Sequence, residues 1–187
     1  MDIFLIFLLT LLNGVFAMSE MALASCRKPR LAALVAEGDK GARAALRLLT
    51  QPTQFLSTVQ IGITSIGVLN GIVGEAAFSL NLSRWLVAQG VADRFADGLA
   101  TACVVTLITL STILFGELVP KRIGQLYPEV VARLTAPLML ALATMARPVV
   151  SFLSSSTSLI LKWLKIDTRS LRTVTEEEIS ASLEEGV

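Results

Sequence analysis

The first apolar stretch of the chain ends in NGVFAMSEMAL, residues 13–23, which sets an amide, a hydroxyl and a carboxylate among side chains suited to lipid. Two later apolar stretches contain similar polar breaks, TSIGVLNG at 64–71 and FGELVPK at 115–121. Polar side chains inside a membrane span are costly and are normally kept for a partner or a transported ligand. Three spans that each bring oxygen donors therefore predict a site for a hard cation within the membrane.

The composition is that of an integral membrane protein. Hydrophobic residues make up 53% of the 187 residues and charged residues only 17%, which is far more apolar than a soluble domain. The net charge of +1 gives no basic excess, so we expect no nucleic-acid partner. Histidine, the usual transition-metal ligand, is absent, and Cys26 and Cys103 form no zinc motif. Both cysteines are expected to be plain packing residues.

The charges around the first apolar run predict its orientation. Asp2 precedes the run and the basic cluster RKPR, residues 27–30, follows it, which is the reverse of a cleaved signal peptide. By the positive-inside rule this cluster, with Arg43 and Arg47, places the segment after the first span in the cytoplasm. We therefore expect a multi-pass protein of the cell inner (plasma) membrane, with an external N-terminus, a cytoplasmic C-terminus and the lipid bilayer as its surroundings.

The segment 29–50 is too polar to cross a membrane. The spacing of its leucines predicts two short amphipathic helices lying on the cytoplasmic membrane surface. They are expected to separate at 37–39, where Gly38 suits the C-cap of one helix and Asp39 the N-cap of the next.

Two further spans are predicted at about 55–78 and about 98–118, joined by an external hairpin at 80–97. Glycines in the second span include the pair Gly67-x-x-x-Gly71. This pair predicts either close helix packing, within the chain or across a dimer, or local unwinding that frees backbone carbonyls for an ion.

The number of crossings between residues 128 and 166 is left open by the sequence. Basic residues flank the region on both sides, so the number is even, and two short crossings or none are allowed. We favour none, because Pro137 and Pro148 interrupt the apolar pattern and serines 154–156 and 158 are polar, which suits an interfacial belt. The predicted fold is thus all-α and integral to the membrane, with three transmembrane helices, kinked and glycine-broken, plus cytoplasmic juxtamembrane helices. Five crossings are the alternative.

The chain changes character at residue 167, where TVTEEEI, residues 173–179, begins an acidic amphipathic helix. We therefore expect a transmembrane domain over 1–166 and, over 167–187, the start of a cytoplasmic region that continues in a longer native chain.

Four motifs in order carry a family resemblance. They are LNGVF at 12–16 with SEMAL at 19–23, FLSTVQIGIT at 55–64 and GELVPK at 116–121. The chain resembles the transmembrane domain of the CNNM/CorC magnesium transporters over about residues 1–170, and 175–179 looks like the beginning of the regulatory CBS pair. The resemblance implies a homodimer with three spans per subunit, a cytoplasmic CBS domain in the same chain, and sodium-coupled magnesium export. Mg²⁺ would be the transported ligand and Na⁺ the coupling ion.

The candidate ligands follow from the chemistry of magnesium, which takes oxygen donors in near-octahedral geometry. The expected metal-site residues are Ser19, Ser65, Gly67 through its carbonyl, Asn70 and Glu117. Residues expected next to these ligands or on a coupling-ion site are Asn13, Glu20, Thr64 and Ser111.

Each candidate also has a purely structural explanation. The serines could bond the carbonyl one turn earlier, and Asn13 could bond across helices. Glu20 and Glu117 could be interfacial and paired with Lys121 or Arg122.

Energetics favour coupled transport over a simple exporter. Moving a divalent cation outward against an interior-negative potential costs about 4.6 kcal/mol per 100 mV. The chain has no nucleotide-binding glycine loop, so an ion gradient is the expected energy source. A membrane-bound magnesium sensor that binds but does not transport, and a plain membrane anchor, remain the alternatives. An enzyme is not expected, since neither a nucleophile elbow nor a His-x-x-x-His pair is present.

Overall fold

The computed structural model describes residues 1–164, which form helices joined by short turns and contain no strand. Its helices are α1 (Asp2–Ser25), α2 (Lys28–Ala36), α3 (Lys40–Leu49), α4 (Pro52–Ala88), α5 (Asp93–Ile113), a π-helical turn (Leu114–Leu118), α6 (Val119–Leu126) and α7 (Pro128–Trp163). The predicted start of a cytoplasmic domain at 167–187 lies outside the described residues. The chain divides into two compact units, residues 1–147 and the residues from 148 onward.

The two predicted short helices are confirmed, with their boundary as predicted. Gly38 has a φ of +92°, the left-handed conformation that ends α2 and that glycine adopts without strain. The Asp39 carboxylate accepts a 2.8 Å hydrogen bond from the Ala42 N–H and caps α3. Local chemistry alone therefore sets this turn.

The predicted external hairpin at 80–97 is wrong in extent. α4 continues to Ala88 and α5 begins at Asp93, so the turn covers only 89–92, where Gly90 has a φ of +94°. At about 1.5 Å per residue, the 37 residues of α4 extend well beyond a hydrocarbon core of about 30 Å. The polar side chains after residue 78 extend this helix and do not end it.

The predicted break of the second span at its glycines is not confirmed, because α4 is one continuous helix from Pro52 to Ala88. Each interior glycine costs about 1 kcal/mol relative to alanine, and close packing offsets part of that cost. A Cβ on Gly62 would lie 2.7 Å from the Phe16 ring, and one on Gly74 would lie 2.7 Å from Ile108. These two glycines admit α1 and α5 against α4.

The third span does depart from regular helix, at the GELVP motif. Pro120 has no N–H, and an interior proline ring clashes with the carbonyl four residues earlier, here that of Gly116. The backbone widens into the π-helical turn Leu114–Leu118, whose last bond runs from the Val119 N–H to the Leu114 carbonyl.

The last helix, α7, runs through Pro137 and Pro148 without a break, so the two prolines interrupt the apolar pattern but not the helix. A long apolar helix can contain a proline, although one backbone hydrogen bond is lost, because neighbouring helices and side chains satisfy the freed carbonyl. No turn lies between Pro128 and Trp163, which argues against two crossings in this region. Four helices are long and apolar enough to span a membrane, α7 among them, so the count of three spans stays a prediction.

Within the first unit, the first part of α7 packs on the α2–α3 pair. Arg133 lies 3.2 Å from the Asp39 carboxylate, and its backbone carbonyl lies against Gly41, where a Cβ would not fit. Arg30 and Glu129 form a second, looser ion pair at 3.7 Å. The buried core joins α1, the α2–α3 pair, α4 and this part of α7.

Candidate cation site at the helical turn

A cavity of about 160 Å³ lies between α1, α4, α5 and the π-helical turn. Its walls combine one carboxylate, one amide, two threonines and the bare backbone of two glycines with isoleucine side chains: Asn13, Ile63, Gly67, Gly71, Ile108, Thr109, Thr112, Ile113 and Glu117. A small cation or several water molecules would find only oxygen donors among its polar groups, apart from the amide N–H₂.

Asn13 is positioned by the π-helical turn. Its Nδ2 donates a 2.9 Å hydrogen bond to the Gly116 carbonyl, the acceptor that Pro120 cannot serve. A Cβ on Gly116 would lie 3.2 Å from this nitrogen, so glycine permits the close approach. Because a carbonyl only accepts, the amide orientation is determined, and the Asn13 Oδ1 is left buried with no hydrogen-bond partner among the described residues.

Asn70 is fully buried, with 0% of its surface exposed, and joins three helices. Its Nδ2 donates to the Thr10 hydroxyl on α1 at 2.9 Å and to the Thr112 hydroxyl on α5 at 3.2 Å. Its Oδ1 has no partner in the part of the chain that the structure describes. Thr112 also lines the cavity, so Asn70 stands directly behind the cavity wall.

Ser19 adds another unsatisfied buried oxygen, since its Oγ has no partner among residues 1–164. A buried polar atom without a partner costs about 1–3 kcal/mol. Such atoms in Asn13, Ser19 and Asn70 are therefore expected to have a ligand, an ion or ordered water in the working protein.

An ammonium lies between two carboxylates at the end of the site. The Lys121 Nζ lies 2.9 Å from Oε1 of Glu117 and 3.5 Å from Oε2 of Glu20. The Glu20 oxygen is at ion-pair distance but makes no hydrogen bond, so this second contact is the weaker one. Glu117 therefore lines the cavity and also pairs with the Lys121 ammonium.

The described residues hold no group of three or more His, Cys, Asp or Glu side chains close enough for a metal. A cation in this cavity would therefore depend on neutral oxygens with Glu117 as the single lining carboxylate. This donor set suits a hard ion that keeps part of its water shell, and it does not suit zinc or copper.

The structure brings some of the predicted residues together and separates others. Asn13, Gly67 and Glu117 line the cavity, and Asn70 lies behind it. Ser19 is buried outside the lining, Glu20 pairs with Lys121, and three hydroxyls are exposed and outside the lining, those of Thr64, Ser65 and Ser111. The carbonyl of Gly67 lies within a continuous helix.

Sequence reasoning left four residues at the site out of the candidate ligands: Thr10, Thr109, Thr112 and Gly71. Thr10 lies three residues before Asn13, on the same face of a helix, and Gly71 is one turn beyond Gly67. This helical spacing from residues already singled out could have predicted Thr10 and Gly71. Thr112 had no comparable signal, because the π-helical turn shifts its register relative to Glu117.

The open space beside two glycines also distinguishes the site. A Cβ on Gly67 or Gly71 would meet no other atom within 4 Å, unlike the tightly packed Gly62 and Gly74. Within this chain the Gly67-x-x-x-Gly71 pair thus forms a wall of the cavity and is not a helix-packing contact.

The family model described as the Cyclin M transmembrane N-terminal domain, CNNM, matches residues 3–187. The chain belongs to the CNNM family. It is 41% identical to a UPF0053 protein of Synechocystis over all of this chain and 42% of that protein. It is also 35% identical to the polyamine export protein of Salmonella typhimurium and 34% identical to that of Escherichia coli, each over 99% of this chain and 41% of the relative.

The chain spans about two fifths of the length of these relatives. The CNNM assignment and the long apolar helices together identify a multi-pass membrane protein. The family and these names suggest a transport or regulatory protein, and not an enzyme.

Proposed function

We propose that this CNNM domain transports Mg²⁺ across the membrane through the cavity between α1, α4, α5 and the π-helical turn. The observation that carries the proposal is the buried Oδ1 of Asn13, an acceptor with no donor among the described residues, on a side chain that lines the cavity. Glu117 lines the same cavity and supplies one negative charge. An acceptor without a donor and a carboxylate around one cavity are what a hard cation would complete.

The cavity size suits a partly hydrated ion. A cavity needs only about 10–15 Å³ to hold one water, so about 160 Å³ has room for several water-sized ligands. Mg²⁺ loses its waters reluctantly and usually keeps several of them in proteins. Asn13 and Glu117 would contact the ion or its waters, while Asn70 and Thr112 would hold the wall in place. Ser19, which lies outside the cavity lining, would offer its unpartnered hydroxyl oxygen to an ion or a water molecule at a separate position on α1.

Coupling to sodium is part of the proposal. Export of a divalent ion against the membrane potential needs energy, and inward Na⁺ would accept the same oxygen ligands. We further propose a homodimer in the inner membrane with external N-termini and a cytoplasmic CBS domain after residue 166. The cationic α2–α3 segment supports the orientation.

Polyamine export is the second candidate, because several relatives carry that name. The contact of Lys121 with Glu117 and Glu20 supports it, since these carboxylates already accept one primary ammonium. A long alkyl diamine would need an extended slot, however, and the cavity has a volume of only about 160 Å³. We therefore place Mg²⁺ first.

Calorimetric titration of the purified chain distinguishes the candidates. Mg²⁺ should bind saturably in sodium-free buffer, and Asn13→Ala should weaken binding by about tenfold or more, the loss expected for one direct ligand or water contact. Ser65→Ala, which alters an exposed hydroxyl on the far side of α4, is the matched control and should bind as wild type does.

Binding of spermidine but not of Mg²⁺ would overturn the magnesium assignment in favour of a polyamine. Sodium should weaken Mg²⁺ binding if the two ions share the site. Flux into or out of liposomes then separates a transporter from a sensor, because a sensor would bind the ion and move none.

A further inference from the structure

A second cavity, of about 70 Å³, lies within the first compact unit where α3, α4 and α7 meet. Arg47 on α3 and Arg147 on α7, both exposed, line it together with Gln51 and Gln54. Phe55 and Leu140 supply apolar wall. Two cations therefore converge on one small cavity that the proposed cation route does not use.

The charge of this cavity is not balanced within the described residues. Four ion pairs are formed among those residues, and neither Arg47 nor Arg147 takes part in any of them. By contrast Arg133, also on α7, pairs with Asp39 at 3.2 Å. Two arginines that face one cavity repel each other and lower their free energy by sharing an anion.

The start of α4 adds to the attraction for an anion. Gln51 precedes this helix without a side-chain cap, and Pro52 occupies the first turn, so the first N–H groups have no side-chain acceptor. A helix N-terminus carries about half a positive charge. The end of α3 opposes it with a similar negative charge, so the two full guanidinium charges dominate the electrostatic potential in the cavity.

The position of the cavity identifies the source of the anion. It lies at the end of a predicted span, beside the basic α2–α3 segment that the positive-inside rule places at the cytoplasmic surface. Basic pockets between helices at this depth suit the head groups of anionic lipids. Its volume is far below the roughly 300 Å³ of a typical metabolite pocket, so it suits a single phosphate group.

We infer that Arg47 and Arg147 form a binding site for the phosphate of an anionic phospholipid, which ties the α3–α4 junction to α7. The two guanidinium groups hold the phosphate oxygens, Gln51 and Gln54 donate from the sides, and the glycerol and acyl carbons lie along Phe55 and Leu140. The lipid phosphate thereby neutralises the positive charge of the two arginines where α3, α4 and α7 meet.

Native mass spectrometry of the detergent-solubilised chain, titrated with phosphatidylglycerol or phosphatidylcholine, tests this inference. The wild type should retain phosphatidylglycerol in preference. The double variant Arg47→Gln with Arg147→Gln should bind it about thirtyfold more weakly, since each basic side chain contributes about 1 kcal/mol and 1.4 kcal/mol is tenfold.

The matched control is Arg43→Gln with Arg122→Gln, which removes the same charge from two exposed arginines outside the cavity. An equal loss in both double variants would indicate diffuse surface attraction and overturn the site. Absence of any preference for phosphatidylglycerol in the wild type would also overturn it, whatever the variants' folding. Displacement of the lipid by millimolar inorganic phosphate would show that the site takes free phosphate and that the lipid assignment is wrong.

Discussion

At the scale of single residues, Gly67 and Gly71 of α4 border the open cavity and do not pack against a neighbouring helix. At Gly67 and Gly71 no atom beyond the adjacent residues and the backbone of α4 itself lies within 4 Å of the position that a Cβ would take, so alanine fits at either without steric conflict. The missing side chains keep the cavity open at a cost in helix propensity. Stability and cation binding should therefore respond to substitution in opposite directions.

We predict that Gly67→Ala and Gly71→Ala each raise the free energy of unfolding by up to about 1 kcal/mol and weaken Mg²⁺ binding or transport. Gly98→Ala is the control, since Gly98 is helical, exposed and equally open but lies outside the cavity. Unfolding in mixed micelles and flux in liposomes measure the two effects. Full transport with alanine at both positions would contradict the cavity as the route.

A thiol outside the spans allows a test of pH dependence. Burial, with a further contribution from the negative charge of Glu129, raises the pKa of Cys26 to about 11. The thiol is therefore protonated in the folded state at pH values where an unfolded chain ionises, and stability falls as pH rises from about 8.5 to about 11.

With Cys103 replaced by serine, Cys26 should react with iodoacetamide roughly 200-fold more slowly at pH 8 than a free cysteine, because only the thiolate reacts. The rate should climb steadily towards pH 11. A rate that levels off near pH 9 would show that burial does not hold the proton.

At the scale of elements, the π-helical turn carries most of the site geometry. In a regular α-helix, Thr112 and Glu117 would lie about 140° apart around the axis. The wider turn at Leu114–Leu118 changes that register, and both residues line the cavity. The turn also directs the Gly116 carbonyl to Asn13. Because Pro120 has no N–H to bond the Gly116 carbonyl, that carbonyl accepts a hydrogen bond from Asn13 on α1 instead.

A double-mutant cycle tests this coupling. Asn13→Ala should destabilise the protein by about 1–3 kcal/mol, because it leaves the buried Gly116 carbonyl unpaired. Pro120→Ala restores an N–H four residues after Gly116, so Asn13→Ala should then cost about 1 kcal/mol less. Asn70→Ala, which does not involve Gly116, should cost the same in both backgrounds. Strict additivity of the Asn13 and Pro120 changes would disprove the coupling.

At the scale of the whole molecule, α7 decides the topology. The charges on either side favour a helix that stays on the cytoplasmic face, and its first part packs against α2 and α3. Its length and apolar character would also allow one crossing. The two possibilities place Lys162 on opposite sides of the membrane.

Single cysteines at three exposed positions, in a background without the native ones, resolve this: Lys40→Cys, Gln89→Cys and Lys162→Cys. With three spans, a membrane-impermeant maleimide should label Lys40→Cys and Lys162→Cys from the cytoplasmic side and Gln89→Cys from outside. Lys162→Cys labelled together with Gln89→Cys would establish a fourth crossing.

Local chemistry in the sequence determined the membrane class and the caps at Gly38 and Asp39. These features depend on composition or on neighbours within a few residues, which the sequence displays directly. Membership of the CNNM family followed from the order of four motifs. The end of α4 was misjudged, because polar residues continue a helix as readily as they end one when tertiary contacts support it.

Only the tertiary structure decided which oxygens meet. Ser65 and Asn70 are close in sequence but about 140° apart around α4, so one is exposed and the other is fully buried. Thr10, Thr112 and Asn70 come from three different helices, and the π-helical turn sets the register of Glu117. Helix packing and backbone register are long-range properties, and no spacing along one chain segment encodes them.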